Sequence, residues 1–202
     1  TPGAYPGIEA EDQGLAAAIA QNLSLMSDLP TPVIAAIIGE GGSGGALALA
    51  VADRVLMQEH AIYSVIAPEG AAAILYRDAT RAPELAGRLR ITASELHELG
   101  FVDEVVREPS PSAAASPEEA AGLLREALIA QLQELRRLDP RLLVRQRQDR
   151  FLGVGSHHIR TGFRYRLPRF SLFRKRAVPP LAPEAAPLAI PATLNGHHDG
   201  AK

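Results

Sequence analysis

The chain has no cysteine, so thiolate nucleophiles, disulfide scaffolding and cysteine-rich metal sites are excluded within it. Aromatic residues are scarce at 4%, against 47% hydrophobic residues in all, and 202 residues can bury one ordinary core but hardly two. Long apolar runs are missing too: glycine or charge interrupts every stretch well before the roughly 20 residues a membrane helix needs. A soluble, cytoplasmic protein without membrane contact is expected. Thr1-Pro2-Gly3 has neither the basic flank nor the apolar run of a signal peptide, and the lack of an initiator Met suggests a fragment or a processed chain.

The charge that is present lies unevenly. A formal net charge of -2 divides into 7 arginines against 19 acids over residues 1 to 135, and 12 Arg and 1 Lys against 2 Asp over 136 to 176. An acidic core runs into a basic tail, and such halves often meet different partners.

Hydrophobic spacing gives the elements. From Glu9 to Asp28 the apolar residues Leu15, Ile19, Leu23 and Met26 predict a helix, ended by Pro30 and Pro32. Val33 to Ile38 is a continuous apolar run with β-branched residues, read as a strand buried on both faces and hence as part of a parallel sheet. Helical character resumes over Ala46 to Ala52 and extended character at Arg54-Val55-Leu56-Met57. A second short strand is expected at Ile62 to Ile66. Pro68-Glu69-Gly70 opens a small-residue helix, Thr92-Ala93-Ser94-Glu95 starts another that Gly100 stops, and Phe101 to Val106 is the last strand. A Ser and Ala linker at 110 to 116 leads into a helix from about Pro117 to Leu138. Alternating strands and helices define the α/β class. Beyond about Leu152 arginine interleaves with Phe163, Tyr165, Phe170 and Phe173, and a Pro and Ala stretch follows, the composition of a disordered tail. The expected organisation is a core at 1–109, a linker and helical segment at 110–152, and a tail at 153–202.

Five of the seven residues from Gly39 to Gly45 are glycine, and they sit between a strand and a helix start. Backbone without side chains can lie close against a ligand and take positive φ, and amides at a helix N-terminus point outward with a favourable dipole. A Walker-type phosphate loop needs Lys then Ser or Thr after its last glycine, whereas Ala46 and Leu47 follow here. Gly39, Gly41 and Gly44 satisfy G-x-G-x-x-G, a weak match by itself, with only Glu59 about twenty residues further on. Two readings stay open: an anion or oxyanion cradle, and a tight strand-to-helix turn packed against a neighbour.

Thr1-Pro2-Gly3-Ala4-Tyr5-Pro6-Gly7 and the run G-E-G-G-S-G-G-A-L-A at 39 to 48 resemble the carboxyltransferase alpha subunit of bacterial acetyl-CoA carboxylase, as do Tyr63-Ser64-Val65-Ile66, Pro68-Glu69-Gly70 and Ile74-Leu75. The resemblance covers about residues 1 to 152. Ile91-Thr92-Ala93-Ser94-Glu95-Leu96 and Leu99 to Val106 are similar to the wider crotonase superfamily, whose members handle acyl-CoA thioesters. The resemblance implies a crotonase-like β-β-α superhelix, N-terminally incomplete here, and a reaction in which carboxybiotin, held on a carrier protein, gives its carboxyl group to acetyl-CoA to form malonyl-CoA for fatty acid synthesis. Enolates must be stabilised in that chemistry, and the family's biotin-side oxyanion pair falls on Gly44 and Gly45. Gly41 and Gly42 would allow close approach, and Gly3 and Tyr5 belong to the Thr-Pro-Gly motif at the site. Implied partners are a carboxyltransferase beta subunit or fused domain bearing the facing oxyanion hole and a zinc ribbon, the biotin carboxyl carrier protein and biotin carboxylase, in a hetero-oligomer. The chain departs from the family at Ala67, where a Ser is usual, and at Ser110 to Ser116, which replace a Gly-Gly-Ala-His-Arg segment.

Other readings compete. Glu40 and Glu69 could form the paired carboxylates of an enoyl-CoA hydratase or isomerase, against an alternative in which Glu40 orders the loop and Glu69 faces a helix dipole. The Arg and aromatic interleaving from 160 to 176 suits nucleic acid less well than docking to carboxylase partners, and a non-catalytic scaffold is a third possibility. His60 and His97 carry no signal, and His157-His158 and His197-His198 lack the further ligands at the spacing a metal needs, so no metal site is expected in this chain.

Overall fold

The first helix is in fact two. Gly14 turns the chain in the left-handed region at φ 77, separating α1 (Ile8–Asp12) from α2 (Leu15–Asp28). Leu15, Ile19, Leu23 and Met26 form the half-buried face of α2, as their spacing requires. The structure, a computed structural model, describes residues 3–5 and 7–154; the basic and Pro/Ala-rich tail, with its histidine pairs, lies outside the described residues.

Two strand-strand-helix units follow. β1 (Ile34–Ile37), β2 (Glu40–Gly42) and α3 (Ser43–Ala50) make the first; β3 (Arg54–Gln58), β4 (Ile62–Ser64) and α4 (Pro68–Tyr76) make the second. A 3-10 turn (Ala79–Arg81), α5 (Ala82–Ala86), α6 (Ala93–Glu98), β5 (Glu104–Val106), α7 (Pro117–Leu135) and α8 (Pro140–Gly153) complete the described chain. The first strand of each unit enters a parallel sheet of order β1-β3-β5, and the second enters a two-stranded parallel sheet β2-β4. Because Gly42 is the register partner of Ser64, the helices that follow these strands both start at the same end of the small sheet.

The core lies on both faces of the larger sheet. Val55 and Met57 point into a cluster with Ile37, Ala93, Leu96 and Val102, while Leu56 and Val106 meet Ala127, Leu123 and Leu124 of α7 on the other side. β3 is thus the strand buried on both faces, with Leu56 and Met57 at 0% exposure. The apolar run at 33–38 does not have that burial: Ala36 is exposed and Ile38 is 65% exposed, because β1 is an edge strand of this sheet. The strand expected to reach Ile66 ends at Ser64, whose Oγ donates to the Ile66 carbonyl at 2.6 Å and folds the chain into a turn.

Helix boundaries follow local chemistry. Pro68 and Pro117 open their helices at N1 or N2, Thr92 and Glu95 form a reciprocal capping box at α6, and Gly100 reverses the chain at φ 77. Among the described residues no helix is long and apolar enough to cross a membrane.

Part of the basic run is internal. Arg147 on α8 is 1% exposed and paired with Asp53 at 2.7 Å, and Arg150 bridges to Asp103 at 2.6 Å. The segment from 140 to 153 therefore packs as structure through Arg147 and Arg150, while Arg136, Arg137, Arg141 and Arg145 are exposed.

Candidate active site at the glycine segment

The glycine segment is half strand and half helix. Glu40, Gly41 and Gly42 run as β2, and the helix begins at Ser43, three residues before the expected start. Gly41 stands opposite Tyr63 in the register, and a Cβ there would lie 2.9 Å from the Tyr63 ring and 3.5 Å from Ile37. Only glycine fits, for reasons of packing. Gly42 is buried and extended at φ -128. Ser43 then turns through φ 54, a left-handed conformation uncommon for serine, and this turn aims the first residues of α3 away from the strand.

Gly44 and Gly45 occupy the first turn of α3 and are half-buried. Amides in a first helical turn have no intrahelical acceptor, and the helix dipole favours negative charge in front of them. Gly44 differs from Gly41 in one respect: a Cβ built on it meets nothing within 4 Å. Neither packing nor a positive φ requires glycine at this position, although glycine inside a helix costs about 0.5–1 kcal/mol relative to alanine. A side chain at this position would enter open space.

The other expected residues are partly brought together. Gly3 reaches the segment: it takes φ 132 and a Cβ on it would lie 3.5 Å from the Ser43 Cβ and 3.8 Å from the Gly42 carbonyl oxygen. Tyr5 is 69% exposed, and its ring covers the place a Cβ on Gly7 would take, the local packing contact. A cavity of about 260 Å³ beside the segment is lined by Glu40, Gly41, Gly42, Ser64, Glu69 and Ile91 among others. It brings Glu40 and Glu69 to one hollow. Ile91, which the sequence marked only as the start of a superfamily-like segment and not as a site residue, arrives because its carbonyl accepts the Tyr63 N–H at 3.0 Å, tying the approach to α6 against β4.

Tyr63, the floor under Gly41, has its phenol pushed above the usual value by burial, with Arg150 pulling weakly the other way. It stays neutral and serves as a packed wall. Among the described residues no cluster of three His, Cys, Asp or Glu could hold a metal. Gly44 and Gly45 are not among the residues that line the cavity, which is bounded on this side by Glu40, Gly41 and Gly42.

Parallel strand-strand-helix units with a glycine-rich helix start beside a small cavity define a crotonase-like protein. Solved structures share this fold. Transcarboxylase 12S with methylmalonyl-coenzyme A and methylmalonic acid bound matches at a TM-score of 0.54 and 23% identity, over 66% of this chain and 26% of that one. The Pseudomonas malonate decarboxylase hetero-tetramer in complex with malonate matches at 0.53 and 19%, over 67% and 53%. The chain belongs to the acetyl co-enzyme A carboxylase carboxyltransferase-like family, whose model matches residues 1–155.

Relatives within that family are close. The chain is 56% identical over 159 residues to the acetyl-coenzyme A carboxylase carboxyl transferase subunits beta/alpha of Salinispora arenicola, spanning 79% of this chain and 28% of the relative. It is 50% identical over 156 residues to the carboxyl transferase subunit alpha of Alcanivorax borkumensis, spanning 77% and 48%, and 54% identical to that of Bordetella avium over 155 residues. The chain thus spans about half the length of these separate alpha subunits, and less of the joined beta/alpha protein.

Proposed function

We propose that this chain is the alpha part of an acetyl-CoA carboxyltransferase, which takes the carboxyl group of carboxybiotin to acetyl-CoA and yields malonyl-CoA for fatty acid synthesis. In that reaction the bond between the biotin nitrogen and the carboxyl carbon breaks, the acetyl methyl gives up a proton to that nitrogen, and a carbon–carbon bond forms to the released CO2. Negative charge develops on a ureido oxygen as the bond breaks. The Gly44 and Gly45 amides are the donors that hold it, Gly41 and Gly42 let the ring approach, and Gly3 and Tyr5 flank the opening. The observation that carries the reading is the place of Gly44 and Gly45 in the first turn of α3, where amides lack intrahelical acceptors and the side-chain position of Gly44 is open.

The same amides face only one of two charges, so a beta subunit or fused domain supplies the hole for the acetyl-CoA enolate and carries the zinc ribbon. Biotin carboxyl carrier protein and biotin carboxylase complete a cytoplasmic hetero-oligomer. The decisive assay is biotin-dependent malonyl-CoA decarboxylation by the chain assembled with its beta partner. Gly44→Val is expected to lower turnover about 100-fold, the loss typical for one obstructed oxyanion donor, while unchanged turnover would sink the reading in favour of a scaffold. Glu40 and Glu69 on one cavity support a hydratase as the second reading. Hydration of crotonyl-CoA without biotin dependence would establish it.

A further inference from the structure

We propose that Arg147, acting through Asp53, is a positioning residue for the amides of α3, an inference that rests on the reading of Gly44 and Gly45 above. The guanidinium has five N–H donors, and each has an acceptor. Nε donates to Asp53 Oδ1 at 3.0 Å and Nη2 to Asp53 Oδ2 at 2.7 Å. Nη2 also donates to the Thr31 carbonyl at 2.9 Å, and Nη1 donates to the carbonyls of Met26 at 2.6 Å and Leu29 at 3.0 Å. One buried side chain of α8 thereby grips the C-terminal end of α2, the connection into β1 and the start of β3.

Asp53 extends the grip. Its Oδ2 accepts the Val33 N–H at 2.8 Å, and its own N–H donates to the Val33 carbonyl at 2.9 Å. Val33 is the entry to, and Asp53 the exit from, the stretch that contains β1, the glycine segment and α3. The base of that unit is closed by Asp53, and Arg147 holds the closure in place. The flank is held as well, because α2, whose last carbonyls Arg147 caps, packs along α3.

α3 has little hold of its own. The side chains it buries are Ala46, Ala48 and Ala50, too short to interlock with neighbours, so where its first turn points is set by its frame. α3 also packs on β1 and β2, but two parts of its frame, α2 beside it and Asp53 behind it, end on the same guanidinium. A lysine could not substitute, since an ammonium offers three donors without the planar fork that meets a carboxylate and three carbonyls together.

The test uses the full chain assembled with its beta partner. Arg147→Lys is expected to keep KM for acetyl-CoA within about twofold while lowering kcat per folded molecule about tenfold or more, as a small misplacement of catalytic groups does. Hydrogen exchange in the free chain gives a readout independent of turnover: amides of 43–50 should exchange faster in the variant. Unchanged kcat per folded molecule, or faster exchange confined to 26–31 and 140–153, would overturn the proposal and leave Arg147 a staple only. Asp53→Asn, which keeps an acceptor for Val33, is read the same way where Arg147→Lys does not fold. Should neither fold, exchange of the unsubstituted chain in low denaturant decides: joint opening of 43–50 and 140–153 supports the proposal, and opening of 140–153 with 43–50 still protected overturns it. Gly44→Val separates the two inferences, because full turnover in that variant removes the site reading while the exchange comparison still judges Arg147.

Discussion

Glycines at 41 and 44 are three residues apart and serve opposite ends. At Gly41 a methyl group would come within 2.9 Å of the Tyr63 ring, so Gly41→Ala should overpack the site and cost about 1–3 kcal/mol. Chemical denaturation measures the loss, and adding Tyr63→Leu should restore part of it; full stability of Gly41→Ala alone would contradict the packing account. At Gly44 the side-chain position is open. Gly44→Ala should therefore leave stability unchanged or raised, by at most about 0.5–1 kcal/mol, the advantage of alanine in a helix interior, while the new methyl lowers carboxyltransferase turnover. Stability kept or raised as activity falls is the signature of a residue kept for a ligand. Glycine spacing alone could not separate these two roles, since both residues satisfy the same pattern, and the difference depends on Tyr63, which comes from another strand.

At the scale of elements, loops are held by side chains that sequence spacing does not connect. Glu108 is an example. Its carboxylate, 8% exposed, accepts the N–H groups of His60 at 3.0 Å and Ala113 at 3.3 Å and lies 3.3 Å from the His60 ring. Burial works to raise its pKa, but these donors and the His60 ring outweigh it and hold the carboxyl below its usual range. A carboxyl lowered in the folded state adds stability that is present above its unfolded pKa and is lost as pH falls through the folded value. Urea midpoints followed from neutral to acid pH should thus fall less steeply in Glu108→Gln than in the unsubstituted chain, and coincident acid limbs would refute the role. The segment from 110 to 116 is anchored by this carboxylate at Ala113, its midpoint.

At the scale of the molecule, large apolar side chains stand open to solvent on the two units that bear the site: Leu49 at 59%, Val65 at 79%, Ile74 at 71% and Leu75 at 66%. Exposed apolar groups of this extent point to surfaces that other protein covers. With one oxyanion hole proposed on this chain and the second on its proposed partner, the chain assayed alone should give no malonyl-CoA decarboxylation above background, and addition of the beta half should restore it while lowering the binding of an apolar-surface dye. Activity of the isolated chain would mean that both holes lie on one polypeptide.

Period and punctuation in the sequence were enough to determine the α/β class, the helices opened by Pro68, Thr92 and Pro117, the half-buried face of α2, and a helix start within the glycine-rich segment, because each depends on neighbours within a turn or two of chain. The resemblance of the Thr-Pro-Gly and glycine motifs to a known family gave the family, to which the chain belongs, and the reaction class proposed for it. Tertiary structure alone decided that β3 and not β1 is buried on both faces, that Gly42 and Ser64 stand in register and set two helix starts side by side, and that Arg147, 94 positions from Asp53 in the chain, is a structural core residue. An arginine in a basic run looks like surface by composition. Burying it takes a carboxylate and three carbonyl oxygens converging from distant segments, and no local pattern encodes that convergence.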